Sequence, residues 1–339
     1  MILLCNFGLD MSKKPINIGV IGVGHLGIHH VKHYKNIPSL NLIGIYDTNI
    51  TRSEYVAKKY KTKVFHSLEN LIKNVDGLSI VTPTPMHFEI AKLCIKNKKH
   101  VFIEKPITVT LKEADILLRL GKKQSVIIQV GHIERLNPAL LVLKPYKINP
   151  KFIEIQRLAP YTIRGSDVPV VLDKMIHDID ILLSLVKSPV SSVQATGISI
   201  ITNSVDIAHA RIHFENGTVA SLMSSRIAQG DIRKIKIFQK NLYSTIDLLR
   251  GITEIYKIEK TKYSNENILE TATFDRNGKK RYIKYMKPNI KKYDALKLEL
   301  INFVNSIEGQ DEPIVNGQAG RDALAIALRI QKMIQKDIV

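Results

Sequence analysis

The chain has 339 residues, 45% hydrophobic and 24% charged, which suits two domains of ordinary size and excludes global disorder. No apolar run is long enough to span a bilayer, Met1 to Leu4 is too short for a signal-peptide core, and Cys5 and Cys94 offer neither a disulfide framework nor zinc-type spacing; a cytoplasmic protein with no membrane partner and no metal is expected. The formal net charge is +19, but the cations are mostly Lys scattered along the chain and Trp is absent, a pattern of solvated faces and attraction for a small anion; no nucleic-acid partner is expected.

The first apolar, β-branched run, Ile16 to Ile21, ends in Gly22-Val23-Gly24-His25-Leu26-Gly27, the G-x-G-x-x-G spacing that brings backbone N–H groups and a helix start against a pyrophosphate. A helix is expected from Leu26 to Asn36, then a strand from Leu40 to Tyr46 capped by Asp47. That carboxylate lies about twenty positions past Gly27, where it can accept hydrogen bonds from an adenosine ribose. Asp47 favours NAD over NADP because it would repel a 2′-phosphate, while Arg52 leaves the point open. Helices near Arg52 to Tyr60, Met86 to Lys96 and Leu111 to Leu120 alternate with strands at Gly77 to Val81, His100 to Ile103 and Val126 to Val130. This rhythm specifies a doubly wound parallel sheet covered on both faces.

After Pro138 the pattern changes. A strand is expected from Lys151 to Ala159 and a helix from Asp173 to Lys187. Strands then follow one another at Val193 to Ile201, Ile207 to Phe214, Thr218 to Arg226, Lys234 to Phe238, Tyr243 to Asp247 and Ile255 to Ile258. Asn216-Gly217 is a hairpin signal, so the sheet is mainly antiparallel. Tyr293 to Glu308 and Gln318 to Gln335 close the chain as helices, the second with an apolar stripe of Ala319, Ala323, Ala327, Ile330 and Ile334. The expected division is residues 1–135 as a dinucleotide-binding domain, 136–316 as a substrate and oligomerisation domain, and 317–339 as a helix packing back on the body.

Glu104-Lys105-Pro106 follows a strand's carboxyl end, where ligands of open parallel sheets bind. Lys105 there reads equally as a surface lysine or as a group that stabilises a developing alkoxide. On a helix Asp173 and His177 lie one turn apart, so the carboxylate can orient the imidazole. Alone, the pair reads better as a surface ion pair. With Lys105 it makes a proton-handling set suited to oxidising an alcohol. Asp178 and Asp180 point elsewhere round the helix and cannot converge with His177 on a metal.

The glycine loop with Asp47, the stretch TPTPMHFEIA from Thr82 to Ala91, Glu104-Lys105-Pro106 and the Asp173/His177 helix resemble the glucose-fructose oxidoreductase, inositol dehydrogenase and MocA family, in order over nearly the whole chain. The resemblance implies an N-terminal Rossmann domain and a C-terminal α/β domain whose open sheet members use to form homodimers or homotetramers. It implies NAD held by Gly22, Gly24, His25, Leu26, Gly27, Asp47, Thr82, Pro83, His87, Glu104 and Lys105. It makes His177 the general base, Asp173 its orienting partner and Lys105 the group that positions the reacting hydroxyl, with a cis peptide at Pro106.

Within that family, GHIERLNPA (Gly131 to Ala139) and the stretches Phe152 to Val168 and Val171 to Val186 resemble bacterial UDP-N-acetylglucosamine 3-dehydrogenases of the lipid A pathway. That implies a nucleotide-sugar substrate oxidised at C3 and an aminotransferase acting next. A diphosphate needs cations, for which Arg157 and Arg164 are candidates, and Arg135 and Asn137 are placed to meet sugar hydroxyls or an acetamido group. Each of the four reads more readily as an ordinary surface residue. The alternatives are an inositol or UDP-sugar-acid dehydrogenase of the same family, or a non-catalytic NAD-binding regulator, which would be expected to lack the catalytic set. This chain has Met175 where many relatives have Gly, and Asn97 or Lys98 is expected to end its helix, Asn tolerating the left-handed cap better. The leading MILLCNFGLD has no recognised counterpart, which leaves Met1 and Met11 as alternative starts.

Overall fold

The computed structural model describes residues 15–38, 40–163, 168–259, 274–276 and 279–337. They fall into two compact units, one from the residues up to Leu136 with Asp294–Leu324, the other from Asn137–Tyr293 with the chain from Ala325 onward.

In the first unit, β1 (Ile16–Ile21), β2 (Leu40–Tyr46), β3 (Gly77–Ile80), β4 (His100–Glu104) and β5 (Ile128–Gly131) pair in parallel in the order β2-β1-β3-β4-β5. The connecting helices are α1 (Gly27–Lys35), α2 (Ile50–Tyr60), α3 (Leu68–Lys73), α4 (His87–Lys96) and α5 (Leu111–Gln124). Strand residues are buried in continuous runs, Ile18, Val20 and Ile21 on β1 and Val101, Phe102 and Ile103 on β4, because helices cover both faces. Helix α5 opens on a reciprocal capping box between Thr110 and Glu113. At the end of α4 the left-handed position falls on Lys98, the second of the two expected residues. The Asn97 amide donates back to the Leu93 carbonyl and keeps Asn97 right-handed, so Lys98 takes the left-handed conformation at φ 57°.

Residues 294–316, expected in the second domain, belong to the first unit. Helix α8 (Ala295–Ile307) carries Leu300, Phe303 and Val304 into the core beside Ile18, Val20 and Phe102, and the Phe303 ring meets Phe102 edge-on at 5.9 Å. Burying three large side chains in the sheet core is worth several kcal/mol, which decides the allegiance of the helix over its position in the chain. The final helix α9 (Gly317–Asp337) is likewise divided: residues up to Leu324 belong to the first unit, where Gly320 packs on Val130, and the rest to the second.

The second unit opens on the short helix α6 (Pro138–Leu141). After it come β6 (Phe152–Leu158), a π-helical turn at Val171–Met175 that runs into α7 (Ile176–Leu185), and then β7 (Val190–Ile198), β8 (Ile207–Phe214), β9 (Val219–Ser225), β10 (Ile232–Gln239), β11 (Leu242–Asp247), β12 (Ile252–Glu259), β13 (Phe274–Arg276) and β14 (Lys279–Met286). They form one sheet in the order β13-β14-β12-β11-β10-β6-β9-β8-β7, antiparallel except where β6 runs parallel to β9. Alternation sets the two faces. On β6, Ile153, Ile155 and Arg157 are buried, while Phe152 is 36% exposed on the opposite face. On that face Phe152, Phe238, Tyr243, Tyr256 and Tyr285 stand opposite one another across five strands, with ring centroids 4.8 to 5.8 Å apart. The Asn216-Gly217 turn joins β8 to β9 as expected, with Gly217 at φ 80°. Among the described residues no helix is long and apolar enough to cross a membrane.

Candidate functional site

The glycine loop joins β1 to α1. Gly22 is left-handed at φ 84°, and a Cβ there would lie 2.6 Å from the Val81 carbonyl oxygen; a Cβ on Gly27 would lie 1.9 Å from that of Gly22. Both positions therefore require glycine. A Cβ on Gly24 would meet nothing within 4 Å, so that backbone faces open space, and His25 and Leu26 beside it are exposed. Among the described residues no side chain caps the amino end of α1. The amino end of a helix, next to an open glycine backbone, fits the pyrophosphate of a dinucleotide. Two side chains brace the loop: Asp47 accepts from the Val23 N–H at 2.7 Å, and Arg52 donates from Nε to the Val23 carbonyl at 2.9 Å. Arg52, left open as a 2′-phosphate ligand, thus holds loop backbone.

Lys105 follows β4, and its peptide to Pro106 is cis, as the resemblance implies. Two neighbours expected to touch cofactor hold this turn. The His87 ring is buried, with Nδ1 2.9 Å from the Pro106 carbonyl oxygen and Nε2 2.9 Å from that of Thr82. It therefore ties the turn after β4 to the loop after β3. Burial holds this imidazole below its usual range against the pull of both carbonyls, and a neutral ring donates to one of them. The Glu104 carboxylate turns inward, accepting from His30 Nε2 at 3.2 Å and from the Lys105 N–H at 3.2 Å. Burial opposes its charge, but the His30 hydrogen bond, the His30 and Lys105 charges and the Lys105 amide outweigh burial and keep the carboxyl below the usual carboxylate range. Thr82 contributes its carbonyl to His87, and Pro83 is exposed on the same loop.

In the second unit Asp173 and His177 share one helical segment, both half-buried. Asp173 lies in the π turn, and Lys174 Nζ is 3.7 Å from its carboxylate. π turns widen the helix, and they are frequent where a side chain must be aimed. Lys105 and the Asp173/His177 pair thus belong to different units.

Two expected substrate contacts hold the protein's own fold. Arg157 is not a surface cation: it is 5% exposed on the covered face of β6, where Nε lies 3.0 Å from each Asp178 oxygen and Nη2 lies 2.8 Å from Oδ1. Inward alternation on β6 puts it there, and Asp178, one residue past His177, supplies the countercharge. Asn137 is also committed: its Oδ1 caps α6 by accepting the Ala139 N–H, and its Nδ2 donates to the Leu248 carbonyl. Arg135 donates to the Ile314 carbonyl at 3.0 Å. Arg164 lies outside the described residues. Sequence reasoning missed His30; nothing local marks it, because its partner Glu104 is 74 positions away.

Residues 16–132 match a family model described as an oxidoreductase family with an NAD-binding Rossmann fold, and residues 161–240 match the GFO/IDH/MocA C-terminal domain. The chain is 34% identical over 319 residues to a UDP-N-acetylglucosamine 3-dehydrogenase of Acidithiobacillus ferrooxidans, covering 94% of this chain and 96% of that one. A solved structure of that organism's enzyme, GnnA, superposes with a TM-score of 0.86 at 33% identity, covering 96% of this chain and 99% of the other. A myo-inositol 2-dehydrogenase of Thermotoga maritima is 27% identical over 342 residues, covering 95% of this chain and 97% of that one.

Proposed function

The chain belongs to the GFO/IDH/MocA oxidoreductase family and is an NAD-dependent dehydrogenase of sugar-like alcohols, and from that premise we propose that it oxidises the C3 hydroxyl of UDP-N-acetylglucosamine to a ketone. What supports this reading is the likeness to the Acidithiobacillus enzyme along essentially the full length of both chains, in both units. NAD, cradled by Gly22, Gly24, Gly27 and the open start of α1, supplies the hydride acceptor when bound. His177 takes the hydroxyl proton, and Asp173 orients the imidazole and stabilises its protonated form. Lys105 donates to the substrate oxygen as negative charge develops there.

The proposal extends to a place in lipid A or surface polysaccharide synthesis, in the cytoplasm, with an aminotransferase consuming the ketone. A homodimer or homotetramer built on the aromatic face of the second unit's sheet is part of the same reading, since a row of five aromatic rings, with Phe152 and Phe238 exposed and Tyr243, Tyr256 and Tyr285 half-buried, is an association surface. The commitment of Arg157 to Asp178 leaves Arg164 as the proposed cation for the diphosphate.

The experiment is to mix the protein with NAD and UDP-N-acetylglucosamine and follow the near-ultraviolet absorbance of NADH. Lys105→Ala, Asp173→Asn and His177→Ala should each lower turnover by about a hundredfold or more while NAD still binds. In a thermal-shift panel UDP should stabilise the protein and myo-inositol should not. The reverse ranking would move the substrate to a free polyol.

A further inference from the structure

The buried side of Glu104 carries a contact that the reaction chemistry leaves unused. His30 lies three residues after Gly27 on α1, is 1% exposed and is walled in by aromatic edges, Phe102 at 5.4 Å and Tyr34 at 6.5 Å between ring centroids. Its Nε2 is 3.2 Å from Glu104 Oε1, and its Nδ1 has no hydrogen-bond partner among the described residues. An ionised carboxylate only accepts, so the proton is on Nε2 and points at Glu104. The opposite wall is Gly131 on β5, where a Cβ would come within 3.0 Å of the Glu104 carboxylate carbon and both its oxygens. The second oxygen of Glu104 accepts the backbone N–H of Lys105. The carboxylate is thus fixed by the imidazole, by the turn's own amide and by contact with a strand that has no side chain there.

We infer that His30 is a positioning residue for Lys105, acting through Glu104: the helix that begins at the cofactor loop sets, through one buried hydrogen bond, the placement of the amine at the end of β4. The inference rests on the role given to Lys105 in the proposed function. Its physical content is an orientation constraint. The Lys105 backbone is anchored to a carboxylate that is itself held from the helix side, and displacing a reacting group by about 1 Å is enough to cost about a hundredfold in rate. The groups that bear on the Glu104 charge are His30 from α1, Lys105 from the turn and His87 from α4, with buried His132 following Gly131. Removing the His30 donor takes away one of the influences that keep the carboxyl ionised, so it retains its proton to higher pH.

The test compares His30→Met, which fills the space without a donor, with His30→Gln, whose amide nitrogen reaches about as far as Nε2. His30→Met should lower kcat by about tenfold or more with KM for NAD changed less than about threefold, and the acid limb of its pH–rate profile should move to higher pH. His30→Gln should restore most of both. Carboxyl NMR titration, without substrate, should show Glu104 protonating at higher pH in His30→Met. A folded His30→Met with wild-type kcat and an unmoved Glu104 titration overturns the inference, and so does a folded His30→Gln as impaired as His30→Met, since that assigns His30 to packing. If His30→Met does not fold, the near-isosteric Glu104→Gln decides: it should reproduce the loss of kcat, and a wild-type rate overturns the inference. Absence of NADH formation by the wild-type protein with every sugar tried would count against the proposed function, while the Glu104 titration would still decide the role of His30.

Discussion

Replacing Asp178 with Ala should be among the most destabilising single changes in the second unit. The Arg157 guanidinium is 5% exposed and Asp178 is 1% exposed, and the three contacts of 2.8 to 3.0 Å satisfy one edge of the guanidinium fork. Removing the acid takes from a buried cation the carboxylate that it contacts three times, a change that costs about 3 to 5 kcal/mol in buried pairs. For a cooperative unit of about 170 residues each kcal/mol lowers Tm by roughly 2 to 4 °C, so Asp178→Ala should melt about 6 to 20 °C below wild type by differential scanning calorimetry. Replacing both partners, Arg157→Met with Asp178→Leu, removes the desolvation penalty along with the attraction and should recover most of that loss. The double variant also separates the structural role of Arg157 from the substrate role it was first expected to have, because UDP binding measured by thermal shift should persist. A single variant melting within about 2 °C of wild type would refute the reasoning.

Gly24→Ala and Gly27→Ala should behave oppositely although both break the same motif: the first meets no protein atom and should leave Tm unchanged while weakening NAD binding by about tenfold or more in calorimetric titration, and the second collides with Gly22 and should destabilise the first unit. Asp206 accepts from the Ile200, Ile201 and Thr202 amides and the Thr202 hydroxyl. Burial works to raise its carboxyl, but these bonds outweigh it and hold it at about 2. The unfolded chain therefore takes up this proton first as pH falls, and about 2 kcal/mol of stability present above pH ~5 should fade toward pH ~2. Asp206→Asn should flatten that part of a Tm-against-pH curve, and a slope equal to wild type would contradict the assignment. Phe238→Glu with Tyr243→Arg should dissociate the proposed oligomer in analytical ultracentrifugation without lowering turnover of the separated chains more than about threefold.

The parallel sheet and the glycine loop were legible in the sequence because their signals are local. A β-branched run, three glycines and an acidic strand end each make their structural demand within a few residues. What stayed hidden depends on partners distant in sequence. Arg157 on β6 alternates inward, and the sequence does show that alternation, but the meeting with Asp178 requires knowing which helix covers the sheet. The allegiance of α8 turns on Phe303 reaching Phe102, two hundred residues earlier in the chain and thus invisible to any window of sequence. Helix α3, with the short stretch Leu68–Lys73, offers too few turns for a period of 3.6 to stand out. The π turn at Val171–Met175 is likewise absent from the pattern, since five residues at the start of a helix are too few for a change of period to stand out.

That π turn explains why the second unit keeps two buried ion pairs in place of cheaper apolar packing. Ahead of the turn, Arg226 donates to the Val168 carbonyl and lies 3.7 Å from Asp206, and the Val170 N–H donates to the Val205 carbonyl. Behind it, Asp178 is fixed on Arg157. A widened turn tends to relax to regular α-helix, which would rotate Asp173 by a large fraction of a turn relative to His177. Apolar contacts tolerate such a slip because one methyl group replaces another. A buried charge does not, since any rotation that separates it from its partner incurs the full desolvation cost of both. Charged anchors at each end therefore convert a soft choice of helical register into a steep one, and the Asp173/His177 pair inherits its relative orientation from them.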